Sequence, residues 1–86
     1  MQFVKGQLVR SLAGRDKGHT FAVLAVEGQI LLLADGSRRT LANPKRKKER
    51  HVAPTATVLQ GECLAGDNQL KAAIEAFEGQ AACVNA

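Results

Sequence analysis

The first 54 residues are divided into short apolar runs by glycine-bearing turns, a pattern sized for strands rather than helices. Leu8-Val9-Arg10-Ser11-Leu12 reads as a first strand. It is closed by Ala13-Gly14-Arg15-Asp16-Lys17-Gly18, where two glycines can take positive φ around a charged tip. Thr20–Val26 reads as a second strand, with Phe21, Val23 and Ala25 on one face and Ala22, Leu24 and Val26 on the other. Glu27-Gly28 turns it back into a third, Gln29–Leu33. Asp35-Gly36 is a hairpin signal leading to a short fourth strand around Arg39-Thr40-Leu41, which Asn43-Pro44 ends. After a basic run, His51-Val52-Ala53 supplies a last strand before Pro54. Five short strands at near-even spacing predict a mainly β fold, a small closed antiparallel barrel.

The second and third strands are apolar on both faces. One face can fill the barrel, and the other needs a cover or it leaves an exposed patch. The C-terminal part can supply it. Asp67 is a candidate N-cap, Leu70, Ile74 and Phe77 recur at helical spacing, and Gly79 stands where the helix is expected to stop. Alanines at 72, 73 and 76 favour helix, but one this short needs a surface to dock on, and the barrel is the expected one. The expected organisation is a β domain over residues 1–55, then, over 56–86, a linker, a helix at about 67–78 and a frayed tail. At 86 residues there is chain for one small core, and no apolar run approaches the roughly 20 residues that span a bilayer. Without a signal-peptide pattern at the N-terminus, a cytoplasmic location is the default expectation.

Charge is unevenly distributed. Residues 1–60 carry 11 basic and four acidic side chains, whereas residues 61–86 carry a net −3, giving +4 for the whole. Seven of the basic side chains (Arg38, Arg39, Lys45, Arg46, Lys47, Lys48 and Arg50) lie within thirteen residues, against Glu49 alone. Like charges at that density repel one another, and a polyanion would relieve the repulsion; the plainer alternative is a solubilising loop. Arg15 and Lys17 at the first loop tip are further candidates, because glycine-permitted turns let backbone N–H groups and side chains approach a phosphate together. The alternative there is a solvated turn, with Asp16 offsetting one charge and both Asp16 and Asp35 acting first as turn formers. If Arg38 and Arg39 begin a strand they point to opposite faces, and only one shares a surface with Arg15.

Other chemistry finds little support. His19 beside Gly18 could touch phosphate or be solvated, and His51 reads as a structural hydrogen-bonder at the barrel's end. Cys63 and Cys83 read as free thiols, with too few ligands for a structural zinc site and no cytosolic support for a disulfide. No nucleophile–base pair, phosphate-cradling P-loop or paired carboxylates appear, so no catalytic residue, cofactor or metal is expected. With no Trp or Tyr and three Phe that serve packing, a base-stacking platform is disfavoured over folded RNA recognised by backbone and shape.

Gly6, Val9, Gly14, Lys17-Gly18, Val23 and Val26 resemble the KOW motif, in which a Gly-x-x-Lys-Gly loop joins two apolar strands. Leu33-Ala34-Asp35-Gly36, Arg39-x-Leu41, Pro44-Lys45 and His51-Val52-Ala53-Pro54-Thr55 extend the likeness to the small bacterial KOW-domain RNA-binding proteins. These are similar in turn to a KOW-bearing ribosomal protein of the archaeal and eukaryotic large subunit. The likeness covers about the first 55 residues; Ala53 departs from it, standing where the family usually carries a longer side chain. It implies an SH3-like barrel of translation-protein type and a non-enzymatic RNA-binding role, with ribosomal RNA or another structured RNA as the partner. Its expected contacts are Arg15, Lys17, His19, Arg38, Arg39, Lys45, Arg46, Lys47, Lys48 and Arg50. The competing reading is a protein-interaction module of the transcription or translation machinery, using the exposed barrel face or the Leu70/Ile74/Phe77 stripe. Neither a membrane nor a small-molecule substrate is expected.

Overall fold

The computed structural model describes residues 3–84. Its strands are β1 (Gln7–Ser11), β2 (Thr20–Glu27), β3 (Ile30–Ala34), β4 (Lys45–Lys48) and β5 (Val52–Val58), followed by one helix, α1 (Asp67–Val84). Short 3₁₀ turns over Glu49–His51 and Gly61–Leu64 lead into β5 and towards α1. The strands form one antiparallel sheet in the order β4-β3-β2-β1-β5. The fold is thus mainly β with a C-terminal helix. No helix among the described residues is long and apolar enough to cross a membrane.

Both faces of the sheet are buried, as the doubly apolar strands require. On the first face Phe3, Val9, Phe21, Val23, Leu31, Leu33 and Val52 pack together. On the second, Leu8, Ala22 and Ala34 pack against Leu70 and Ile74 of α1, with Leu24, Leu41, Leu59, Leu64 and Phe77 around them. The helix is therefore the cover that β2 and β3 needed. Removing a leucine-sized side chain from water stabilises the packed state by about 1.5–3 kcal/mol, and a helix of marginal intrinsic stability is held by just such a stripe.

Several elements differ from expectation. A bulge lies between Val23 and Ala25, so that Ala25 pairs with Leu32 and Val26 with Leu31. The inserted residue reverses the alternation, so Val26, not Ala25, shares the face of Phe21 and Val23 beyond it. The fourth strand is not Arg39–Leu41 but the basic run itself, Lys45–Lys48, and the run is a strand and a 3₁₀ turn rather than a loop. Its register sets Lys45 opposite Leu33 and Lys47 opposite Leu31, so alternate lysines share the face of the first core cluster. His51 belongs to the turn, and β5 runs through Pro54 as far as Val58, where a linker was expected. Proline is accommodated because β5 is paired only with β1. Gln7 donates from Nε2 to the Thr55 carbonyl (3.1 Å) and the Thr55 hydroxyl donates to the Leu8 carbonyl (2.7 Å), bracing the stretch where the β1–β5 register shifts. The helix continues through Gly79 to Val84. The expected frayed tail falls in part on residues 85–86, outside the described residues.

The segment after β3 is also not a hairpin. Asp35 accepts hydrogen bonds at Oδ1 from the backbone N–H groups of Ser37 and Arg39, both at 2.9 Å. The N–H groups of Asp35 and Gly36 donate to the Arg39 carbonyl, closing a compact loop. Gly36, at φ +79°, lies so close to the first turn of α1 that an added Cβ would collide with the Asp67 carbonyl and come within 2.9 Å of the Lys71 nitrogen.

Candidate nucleic-acid interface

The loop between β1 and β2 is held from inside. Ser11, the last residue of β1, and Asp16, in the loop, are both buried, and the Ser11 hydroxyl donates to Asp16 Oδ1 at 2.7 Å. Lys47 reaches from β4 to donate to the same oxygen at 3.0 Å and to the Ala13 carbonyl at 2.7 Å. Lys45 Nζ stands 2.6 Å from Oδ2, an ion contact without hydrogen-bond alignment. Burial alone would raise the Asp16 pKa. The Lys45 ammonium, the Ser11 hydroxyl and Lys47 outweigh it and hold the carboxyl well below its ordinary 3.8. Asp16 is therefore more than a turn former. It is the anion on which β4 is fastened to the β1–β2 loop.

This fastening creates a concave surface. Arg15, Asp16, Phe21, Arg38, Arg39 and Lys45 line a cleft of about 330 Å³. Four cations from three separate segments meet there, and the single carboxylate is already engaged by lysines. Arg38 and Arg39 both reach the cleft, contrary to the expectation that only one would, because they sit in the Asp35 loop and not on an alternating strand. Arg38 Nη1 lies 3.4 Å from Nε2 of half-buried His19, where it can donate only while that nitrogen carries no proton. Lys17 is exposed in the β1–β2 loop and is not among the residues lining the cleft.

Strand alternation turns Arg46 and Lys48 away from the cleft, Arg50 lies in the turn beyond β4, and Lys47, on the same face as Lys45, is taken up internally. Lys47, 9% exposed, has its ammonium committed to Asp16 and Ala13. Arg46 points to the other face and pairs with Glu27 at 3.2 Å, both side chains well exposed. Lys48 and Arg50 border a separate hollow of about 220 Å³ with Gln29 and Glu49. The ten expected contacts thus divide between a convergent group (Arg15, Arg38, Arg39 and Lys45, with His19 beside it) and others that are internal, paired or elsewhere.

Two positioning residues could not be picked out along the chain. Ser11 looks like an ordinary strand residue, and its only signal is a hydroxyl five residues before an aspartate in a turn. Asp67 was expected to cap its own helix, but its Oδ1 accepts from the backbone N–H of Leu41 at 2.7 Å, stitching the Asp35 loop to α1. Among the described residues no three His, Cys, Asp or Glu side chains are grouped to hold a metal. Cys63 is a half-buried free thiol, and Cys83 lies beyond the described side chains. Compared with known proteins, the chain matches no family model and no curated sequence.

Proposed function

We propose that this protein is a non-enzymatic RNA-binding module that docks on the phosphates of structured RNA through the Arg15/Arg38/Arg39/Lys45 cleft. The KOW-like residues between Gly6 and Thr55 support reading the five-stranded antiparallel sheet as an SH3-like barrel of translation-protein type. On the same reading the RNA is ribosomal or another structured RNA of the translation machinery, met in the cytoplasm. The observation that carries the proposal is the convergence of four cations from three segments on one concavity whose only carboxylate is already neutralised. Such a concavity attracts anions, and its arginines match phosphate oxygens bidentately. Aromatic stacking plays no part, because Phe21 at the cleft wall is buried in the core.

The protein-interaction alternative, which would use the exposed sheet face or the Leu70/Ile74/Phe77 stripe, is favoured less because Leu70 and Ile74 pack on Leu8, Ala22 and Ala34. The test is a fluorescence-anisotropy titration of a structured RNA at several salt concentrations. Engagement of about three to four phosphates gives a slope of log K on log salt near −3. Replacing Arg15, Arg38 and Arg39 together with Gln should flatten that slope towards zero, while Lys48→Gln with Arg50→Gln changes it by less. Binding no tighter than to a neutral polymer, or insensitive to the three arginines, overturns the proposal.

A further inference from the structure

The cleft's two middle arginines sit in a loop whose position is decided by the C-terminal helix. Asp35 folds the loop locally, through its bonds to the N–H groups of Ser37 and Arg39, but nothing in those bonds aims it at Arg15. Two contacts do so. Before Arg38, Gly36 is seated directly on the backbone of Asp67 and Lys71. After Arg39, the Leu41 N–H is held by the Asp67 carboxylate, and the Leu41 side chain joins the cluster around Leu70 and Ile74. The arginine pair is thus bracketed by two attachments to the first turn of α1.

We propose that α1 is the positioning element of the anion cleft, with Asp67 and Gly36 as positioning residues that hold Arg38 and Arg39 in register with Arg15 and Lys45. This rests on the phosphate-binding reading of the cleft and assigns to the helix a part in it without contact with RNA. Affinity for RNA is therefore coupled to how firmly the helix start is docked. A partner or modification that displaces this turn would weaken binding from behind the site.

The test uses the sign of an electrostatic effect. Asp67 carries negative charge, so if it acted only through its field, removing it would tighten binding to a polyanion. If it positions the loop, Asp67→Ala instead weakens binding to a structured RNA hairpin, and the salt slope loses about one to two units as Arg38 and Arg39 drop out. Asp67→Asn keeps an oxygen that can accept from Leu41 and should bind at least as well as wild type. On an Arg38→Gln/Arg39→Gln background, Asp67→Ala should add nothing further, whereas Arg15→Gln should keep its own effect. Gly36→Ala keeps the Asp67 carboxylate but sets a Cβ against the Asp67 carbonyl and the Lys71 nitrogen, forcing the loop off the turn, so it should weaken binding in the same way.

Asp67→Ala binding as tightly as wild type, or more tightly, overturns the inference. Should Asp67→Ala fail to fold, wild-type affinity in Gly36→Ala overturns it equally. If the wild-type protein shows no salt-dependent binding to the hairpin, the phosphate-binding reading itself has failed. If Arg38→Gln/Arg39→Gln weakens binding while Asp67→Ala and Gly36→Ala do not, only the role of the helix has.

Discussion

The two faces of the sheet are finished in different ways. The helix-covered face closes on hydrocarbon, with Leu70 and Ile74 set onto Leu8, Ala22 and Ala34. The other has an apolar centre, but its rim towards β4 and the first loop is closed by charge, with Asp16 gripping Ser11, Lys45 and Lys47. Apolar closure is non-directional and indifferent to pH; a buried carboxylate among ammonium groups is directional and depends on its proton. The contrast shows why the cleft lies where it does. Only the charge-closed rim can carry converging cations, because its own anion offsets part of their repulsion.

The strongest challenge to this comparison is to open the hydrocarbon side. Leu70→Ala removes a fully buried side chain from beneath the helix and should lower stability by about 3 kcal/mol, read as a shift of the urea midpoint. A loss below about 1 kcal/mol would mean that the helix does not seal this face.

On the charged rim, Asp16→Asn should remove about 2 kcal/mol, because Lys47 is left buried with a weaker partner while the more exposed Lys45 recovers water. The same variant sharpens the pH contrast. A carboxyl whose folded-state pKa is depressed contributes stability that is complete above its ordinary value of 3.8 and is lost as pH falls below it. Wild type should therefore lose this contribution on acidification below about pH 4, and the Asn variant should lack that component of its acid denaturation curve.

The smallest effect separates the two sides of β4. Arg46→Gln breaks the exposed pair with Glu27 and should change stability by less than about 0.5 kcal/mol. A larger loss there would show that the basic run acts as one charge cluster, not as a strand with an internal and an external side.

Much of this architecture was legible in the chain. Strands β1 to β3 follow from glycine-bounded apolar runs, because strand periodicity and turn chemistry are local. The helix and its docking follow from the Leu70/Ile74/Phe77 spacing together with the doubly apolar β2 and β3. The fourth strand was hidden because Lys45-Arg46-Lys47-Lys48 shows no apolar alternation. Its alternation is instead between cations that meet Asp16 and cations that face outward, and Asp16 is about thirty residues away. Likewise Asp35-Gly36 carries the signal of a hairpin, yet Asp35 bonds to the N–H of Arg39 and Gly36 is pressed against α1, so a loop forms. The arginines at the cleft could be named in advance; their convergence could not.

By itself the sequence determined that a small sheet would form with two apolar faces and that a helix would be needed over one of them. Hydrophobic patterning and glycine placement act over a few residues and can be read in order. Tertiary structure alone decided which cations share a surface, which are neutralised inside, and which loop the helix fastens. Those outcomes turn on groups far apart in the chain being brought within a few ångströms, where a carboxylate can select its lysines and a carbonyl can exclude a Cβ.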